Sequence, residues 1–210
     1  MKLYGYWRSS ASWRVRIGLG LKGLEVEHHS VHLVRDGGEQ HGTDHLKRNP
    51  MRQVPVLELD DGRQLTQSLA ILAYLDAQHP EPPLLPSDPY LRGRAWALTE
   101  VVNSGIQPLQ NLATLQHLTR LGVDRMAWGR HHIHQGLLNL QTMATDTAGR
   151  FLVGDDVSLA DIALIPQLYN ARRFEVPLDA LDLLLQIEAR CETLEAFQAA
   201  HAHQQPDATL

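Results

Sequence analysis

"QVPVLELDDGRQLTQSLAILAYLDAQHPEPPLLPSDP", residues 53–89, contains the transition on which the fold turns. Val56 to Leu59 is an apolar, strand-like run, Asp61-Gly62 is a hairpin turn signal, and Arg63 to Thr66 is the return strand. Ser68 then stands where a helix N-cap belongs, and an apolar helical run continues to about His79, where Pro80 stops it. Five of the chain's eleven prolines follow within residues 80–89. Proline at that density reads as an extended connector. Beyond it the strand signals vanish, and residues 90–119, 124–147, 158–174 and 179–200 carry helical patterning.

Upstream the reading is mixed. Residues 2–7 form a strand, and "RSSASWRVRIGLGLKG" (residues 8–23) starts a helix whose inner face is Ala11, Val15, Gly18 and Leu19, with Gly23 as its C-cap. "LEVEHHSVHL" (24–33) is a second strand, so the unit is β-α-β with parallel strands and a right-handed crossover. "RDGGEQHGTDHLKRNP" (35–50) is polar loop with one helical turn. In the second half, Ser158 and Asp161 make an S-x-x-D capping pattern ahead of an apolar run. The expected architecture is therefore a small α/β domain over residues 1–80, a linker over 81–89 and an all-helical domain over 90–210.

Bulk properties narrow the function. The 210 residues are 43% apolar and 20% charged, ordinary for a globular chain. A formal net charge of -5 argues against a nucleic-acid binder. Cys191 is the one cysteine, so no intramolecular disulfide forms, which suits a reducing compartment. "MKLYGYW" lacks the apolar core of a signal peptide, and no run reaches the roughly 18 apolar residues of a membrane span. A cytoplasmic protein is expected. His131 and His134 in "GRHHIHQG" have metal-ligand spacing on a helix, but no third ligand stands near in sequence, and no metal site is expected.

Two places invite chemistry. Ser9, Ser10 and Ser12 crowd a helix start beside Arg8, Arg14 and Arg16. Plain capping, worth about 1 kcal/mol, accounts for a hydroxyl there. So does an anion or thiol held at the positive end of the helix, because unpaired N–H groups and the dipole favour the ionised form. Gln67-Ser68 opens another helix and offers a second anion site. Arg8 and Arg173 suit a carboxylate, which a guanidinium grips with two hydrogen bonds; the commoner fate of a single arginine is a solvated surface charge. Arg16 reads as a structural ion-pair partner, and Cys191 as a core or interface residue.

The layout resembles that of glutathione transferases, and particular blocks sharpen the likeness. "RSSASWRVRIGLGLKG" is similar to the zeta-class signature S-S-C-x-x-R-V-R-I-A-L. "NPMRQVPVL", "LTQSLAILAYL", "GIQPLQNLATL", "VGDDVSLADIALIPQ" and "ARRFEV" resemble further zeta-class blocks, in the family's order and along nearly the whole chain. The zeta class is also the maleylacetoacetate isomerase family and includes bacterial maleylpyruvate isomerases. One position departs: the signature cysteine is Ala11 here, which excludes a cysteine nucleophile at this place.

The resemblance implies a thioredoxin-like N-terminal domain, a helical C-terminal domain and glutathione as cofactor. It implies that Ser9 donates a hydrogen bond to the cofactor sulfur, with Ser10, Ala11, Ser12, Trp13 and Arg14 around it. It puts Gln67 and Ser68 on the γ-glutamyl end, Gln40 on the glycine end, and the backbone of Val54, before a cis Pro55, along the cysteinyl backbone. From the helical domain it adds Gln107, Asn111 and, by backbone, Leu112 and Ala113, with Arg8 and Arg173 for the acidic substrate. The implied activity is glutathione-dependent cis–trans isomerisation of a maleylacetoacetate-type acid in aromatic catabolism, by a homodimer. Three alternatives stand beside it: maleylpyruvate isomerase, a transferase conjugating or dehalogenating small acids, and a non-catalytic binding module of the same fold.

Overall fold

The computed structural model describes residues 1–209. Its contacts divide the described residues into two compact units, one of residues 1–83 and 193–209, the other of residues 84–192.

The first unit is built on a sheet of β1 (Lys2–Gly5), β2 (Glu27–Ser30), β3 (Val56–Glu58) and β4 (Gln64–Thr66), in the order β2-β1-β3-β4. β1 runs parallel to β2 and antiparallel to β3, and β3 pairs antiparallel with β4 around the Asp61-Gly62 turn. Gly62 takes φ 83°, the left-handed value a hairpin turn requires and glycine adopts without a steric cost. α1 (Ser10–Leu21) crosses between β1 and β2, and α3 (Ser68–Gln78) follows β4. Leu3, Val15, Leu19, Leu57, Ile71 and Leu75 form the core between sheet and helices. The polar connection after β2 contains two 3-10 turns and a short α2 (Thr43–Arg48).

α1 is buried nearly all round, including Arg14 and Arg16. A one-sided face was expected from its sequence; the second face is covered by α9 (Glu195–Ala200). An added Cβ on Gly20 would lie 3.1 Å from Ala196 Cβ, so a side chain there would press α9 outward by a few tenths of an ångström. This corrects the expected helical domain of residues 90–210. The stretch from Thr193 packs with the first unit, because α9 supplies the apolar cover that the outer face of α1 lacks. The helix ends as expected. Gly23 (φ 63°) follows Lys22, and Gly23 N–H to Gly20 O (3.1 Å) with Leu24 N–H to Leu19 O (2.9 Å) closes a Schellman motif.

The proline-rich segment is tied at both ends. Lys22 Nζ, buried, donates to Asp76 Oδ1 (2.6 Å), His79 O (2.6 Å) and Pro82 O (2.5 Å). Leu84 and Leu85 are buried, and Leu84 O accepts from Leu159 N–H within the second unit.

The second unit consists of α4 (Pro89–Glu100), α5 (Leu112–Arg120), α6 (Arg125–Ala144), α7 (Leu159–Arg173) and α8 (Asp182–Cys191). The single helix expected over 90–119 is broken: a π-helical turn (Val101–Ile106) and a 3-10 turn (Gln107–Leu109) separate α4 from α5. The run expected over 179–200 also breaks, between Cys191 and Glu195. Ser158 and Asp161 form the capping box of α7. The Asp161 carboxylate accepts from Ser158 N–H (2.8 Å), Ser158 Oγ (2.9 Å) and Leu152 N–H (2.9 Å).

Asp161 is fully buried, and burial pushes its carboxyl up to about 6 although its hydrogen bonds favour the ionised form. The folded state therefore holds this proton more tightly than the unfolded chain, whose carboxyl titrates near 3.8. By linkage, this group's contribution to stability is greatest below about pH 4, falls as the pH rises to about 6 and is level above. Urea unfolding of the wild type and of Asp161→Asn across that window measures it. The difference in stability, wild type minus variant, is expected to shrink by about 2 kcal/mol from pH 4 to pH 6, and a flat difference contradicts the assignment.

Candidate functional site

In the first unit the strand register gathers three segments at one end of the sheet. Tyr4 pairs with Val56 and Val56 with Thr66. The exit of β1, the entry of β3 and the exit of β4 therefore lie side by side. The β1–α1 turn (residues 6–9), the Val54–Pro55 peptide and Gln67-Ser68 extend from these three ends. The Val54–Pro55 bond is cis, as the sequence reading expects.

Ser9 is the N-cap of α1, and its Oγ accepts from Ser12 N–H at 3.3 Å. Capping uses the oxygen as acceptor and leaves its hydrogen available, so cap and donor to a bound sulfur are compatible roles. Ser9 and Ala11 are half-buried at the helix start, and Arg8 stacks over the Trp7 ring at 5.2 Å. Ser10 is buried.

Ser12, Trp13 and Arg14 require a correction: at 0%, 1% and 1% exposure their side chains are interior and cannot line a cofactor surface. Ser12 Oγ accepts from Tyr6 N–H (3.4 Å) and braces the turn from beneath. Arg14 Nη1 donates to Ser68 Oγ at 3.5 Å, so a buried guanidinium joins the starts of α1 and α3. The sequence reading gave no sign of this bond, because the two residues lie 54 positions apart and were each read toward the ligand.

Gln67, not Ser68, is the N-cap residue of α3, and no side chain caps that helix. Ser68 is its first helical residue, with its hydroxyl turned inward to Arg14. Gln67 adopts φ 68° and ψ 116°, a left-handed backbone that costs a residue with a side chain roughly 1–3 kcal/mol. Its exposed side chain reaches Met51 Sδ at 3.6 Å. The first N–H groups of α3 are thus left to a ligand or water. Gln53 O, just before Val54, accepts from Asn49 Nδ2 (2.8 Å) and lies 2.9 Å from His45 Nε2, contacts that the sequence reading missed. Gln40 is a second correction: it is 4% exposed, and its amide donates to Leu33 O at 3.2 Å, so it holds its own loop together.

In the second unit, Asn111 caps α5 by accepting from Ala113 N–H at 3.0 Å. That N–H is engaged, which removes it from the expected backbone contacts. Gln107, Asn111 and Leu112 are half-buried and Ala113 is exposed. The turn that carries them is fixed by Trp128 Nε1 to Leu109 O (2.9 Å) and Gln110 Nε2 to Gln167 Oε1 (2.5 Å). Arg173, exposed at the end of α7, donates to Asn170 Oδ1 at 3.1 Å. Phe174 packs so closely on Gly129 that an added Cβ there would lie 2.4 Å from its ring. The 107–113 turn and the Arg173 end of α7 thus both rest on the first turns of α6.

Cys191 is buried, and its thiol is pushed far above the usual range by burial and then by Asp161, Glu188 and Glu192. Such a thiol is chemically inert. Among the described residues no three His, Cys, Asp or Glu side chains gather as metal ligands. No helix among them is long and apolar enough to cross a membrane.

Residues 3–83 match the family described as "Glutathione S-transferase, N-terminal domain". A probable maleylacetoacetate isomerase 2 of Drosophila melanogaster is 43% identical over 205 residues, 98% of this chain and 89% of that one. A crystal structure of maleylacetoacetate isomerase from Anaeromyxobacter dehalogenans, with GSH bound in its active site, is 50% identical and superposes with a TM-score of 0.90, covering 99% of this chain and 97% of its own. A holo structure of a bacterial zeta-class maleyl pyruvate isomerase is 37% identical with a TM-score of 0.93, each chain covered in full.

Proposed function

The chain belongs to the zeta-class glutathione transferase family, and on that premise we propose that it is a glutathione-dependent cis–trans isomerase of maleylacetoacetate-type acids. The observation that carries the reading is the meeting of two helix starts and the Val54–Pro55 peptide at one sheet end, with the Arg14 guanidinium buried between the helices.

Glutathione fits this end of the first unit. It carries a thiol to ionise, an α-carboxylate to anchor and a peptide backbone to pair. When bound, it supplies the sulfur that adds to the cis double bond, allows rotation about the resulting single bond, and is eliminated as the trans product forms. The chain's own residues do the rest. The Ser9 hydroxyl donates to the sulfur, and the start of α1 favours its anionic form. The uncapped N–H groups at Ser68, with Arg14 beneath, receive the γ-glutamyl carboxylate. The Val54 backbone pairs with the cysteinyl backbone as an added strand would. We assign Arg8 and Arg173 to the substrate's carboxylates and enolate oxygens, where fixed cations hold the acid and stabilise developing charge. Ser10 and Ala11 border the sulfur, and Gln107, Asn111 and Leu112 form the acid-binding part of the helical unit.

Maleylpyruvate stands as a second substrate, because Ala11 replaces the signature cysteine and the maleyl pyruvate isomerase superposes over the full chain. Family membership also leads us to propose a cytoplasmic homodimer, which sedimentation and cell fractionation test. For the function, calorimetry with reduced glutathione is expected to give a dissociation constant between about 1 μM and low millimolar. No heat and no thermal shift at about ten times that upper bound contradicts the enzymatic reading and favours a binding module.

A further inference from the structure

The turn that presents Arg8 and Ser9 has its backbone held from two directions. From α1, Arg16 Nη2 donates to Trp7 O (2.9 Å) and Nη1 to Tyr6 O (3.5 Å). From the far end of the chain, 200 residues on, Asp207 Oδ2 accepts from Trp7 N–H (3.1 Å), and the same oxygen accepts from Ser30 Oγ at the end of β2 (2.9 Å). The two anchors are connected. Arg16 Nε donates to Ala200 O (3.1 Å), so the guanidinium binds the last turn of α9, where helix carbonyls lack partners of their own. Gln205 Nε2 donates to Ala199 O (2.9 Å) and His201 O (3.0 Å), which folds the segment after α9 back toward Asp207. The His201 ring stands edge-on to Trp13 at 4.9 Å, and the His203 ring lies 5.8 Å from Trp7.

We propose that Asp207 is a positioning residue for the Trp7–Ser9 turn, fixing by its bond to the Trp7 N–H where Ser9 meets the cofactor sulfur; this rests on the glutathione reading above. The chemistry favours a carboxylate here. Two donors from different elements converge on one oxygen, which a carboxylate accepts more strongly than an amide. Its charge does not stand alone. Arg16 lies within its field, where burial draws the guanidinium down to about 10 and Asp207 raises it, so Arg16 remains a cation at neutral pH. His28 faces the same pair and, like His201, is held below its ordinary range chiefly by burial, with Arg16 adding to the effect. Asp207 also lines a cleft of about 220 Å³ with Trp7, His28, His29 and Ser30, so substitutions there have room.

The test uses the full chain. Asp207→Ala is expected to raise the thiol pKa of bound glutathione by roughly one unit and to lower isomerase kcat/KM about tenfold, the order carried by one charge-assisted hydrogen bond. KM for the acid should rise as well, since the same turn carries Arg8, whereas the shift in thiol pKa reads Ser9 alone. Ser30→Ala, which removes only the second donor, should behave as wild type. Asp207→Asn, whose amide oxygen still accepts, should recover most of the loss. A folded Asp207→Ala with unchanged thiol pKa and kcat/KM overturns the proposal, and so does an Asn variant as impaired as the Ala variant. If Asp207→Ala does not fold, hydrogen exchange in the wild type decides: a Trp7 amide exchanging like an exposed one overturns it, and a protected one that Asp207→Asn leaves protected supports it. A wild type that binds no glutathione defeats the glutathione reading and is seen before any variant is made.

Discussion

Arg173→Ala is expected to lose about 10- to 150-fold in isomerase kcat/KM while its affinity for glutathione stays near that of the wild type. The range follows from a charge-assisted hydrogen bond, about 1.5–3 kcal/mol, removed from the substrate alone. Arg173 ends α7 with its guanidinium exposed, and it donates to Asn170 Oδ1 at 3.1 Å. Its neighbour Arg172 is engaged by Glu188 at 2.6 Å through both terminal nitrogens. Arg172→Ala should therefore cost stability and leave the kinetics nearly alone. Steady-state rates on maleylacetoacetate and calorimetry on glutathione separate the cases. An equal loss of glutathione affinity in Arg173→Ala would place that side chain on the cofactor or in the scaffold.

Ser9→Ala is expected to raise the thiol pKa of bound glutathione by roughly one to two units, since one pKa unit is about 1.4 kcal/mol and one good hydrogen bond to an anion is lost. The ultraviolet absorbance of the thiolate, followed against pH, reads it. The variant also loses a cap, worth about 1 kcal/mol of stability, and the two effects are measured separately. Ser10→Ala should move the pKa less, because Ser10 is buried in the first turn. Ala11→Cys, which restores the signature residue, should alter the pH profile only modestly. A large shift in Ser10→Ala with none in Ser9→Ala would reassign the donor, and no shift in either would leave the helix start alone to ionise the sulfur.

Local patterns in the sequence carried much of the fold. The Asp61-Gly62 turn fixed the β3–β4 hairpin, Gly23 the end of α1, and Ser158 with Asp161 the start of α7. Each depends on residues a few positions apart, which is the range that turn and cap chemistry spans. The site segments were legible for the same reason, since helix starts and the Val-Pro peptide announce themselves locally. What escaped depends on partners far along the chain. Arg14 was expected beside the cofactor and Arg16 in an ion pair, and Lys22 carried no expectation; all are buried, held by Ser68, by the carbonyls of Tyr6, Trp7 and Ala200, and by Asp76, His79 and Pro82. The return of residues 193–209 to the first unit left no local mark, because its warrant is the uncovered face of α1. The inward turns of Ser12 and Gln40 were hidden too, as polarity alone does not say whether a hydroxyl or amide meets a ligand or its own backbone.

The central claim is that a thiol held at the start of α1 isomerises a cis-maleyl acid and is returned unchanged. The most direct measurement follows the loss of the cis enol absorbance of maleylacetoacetate, and in parallel of maleylpyruvate, with purified protein and either glutathione or S-methylglutathione. The expected result is many turnovers per glutathione to the trans product, with the glutathione recovered intact, and no turnover with the S-methyl form. Equal rates with the two forms, or glutathione consumed one for one into a stable adduct, would contradict it.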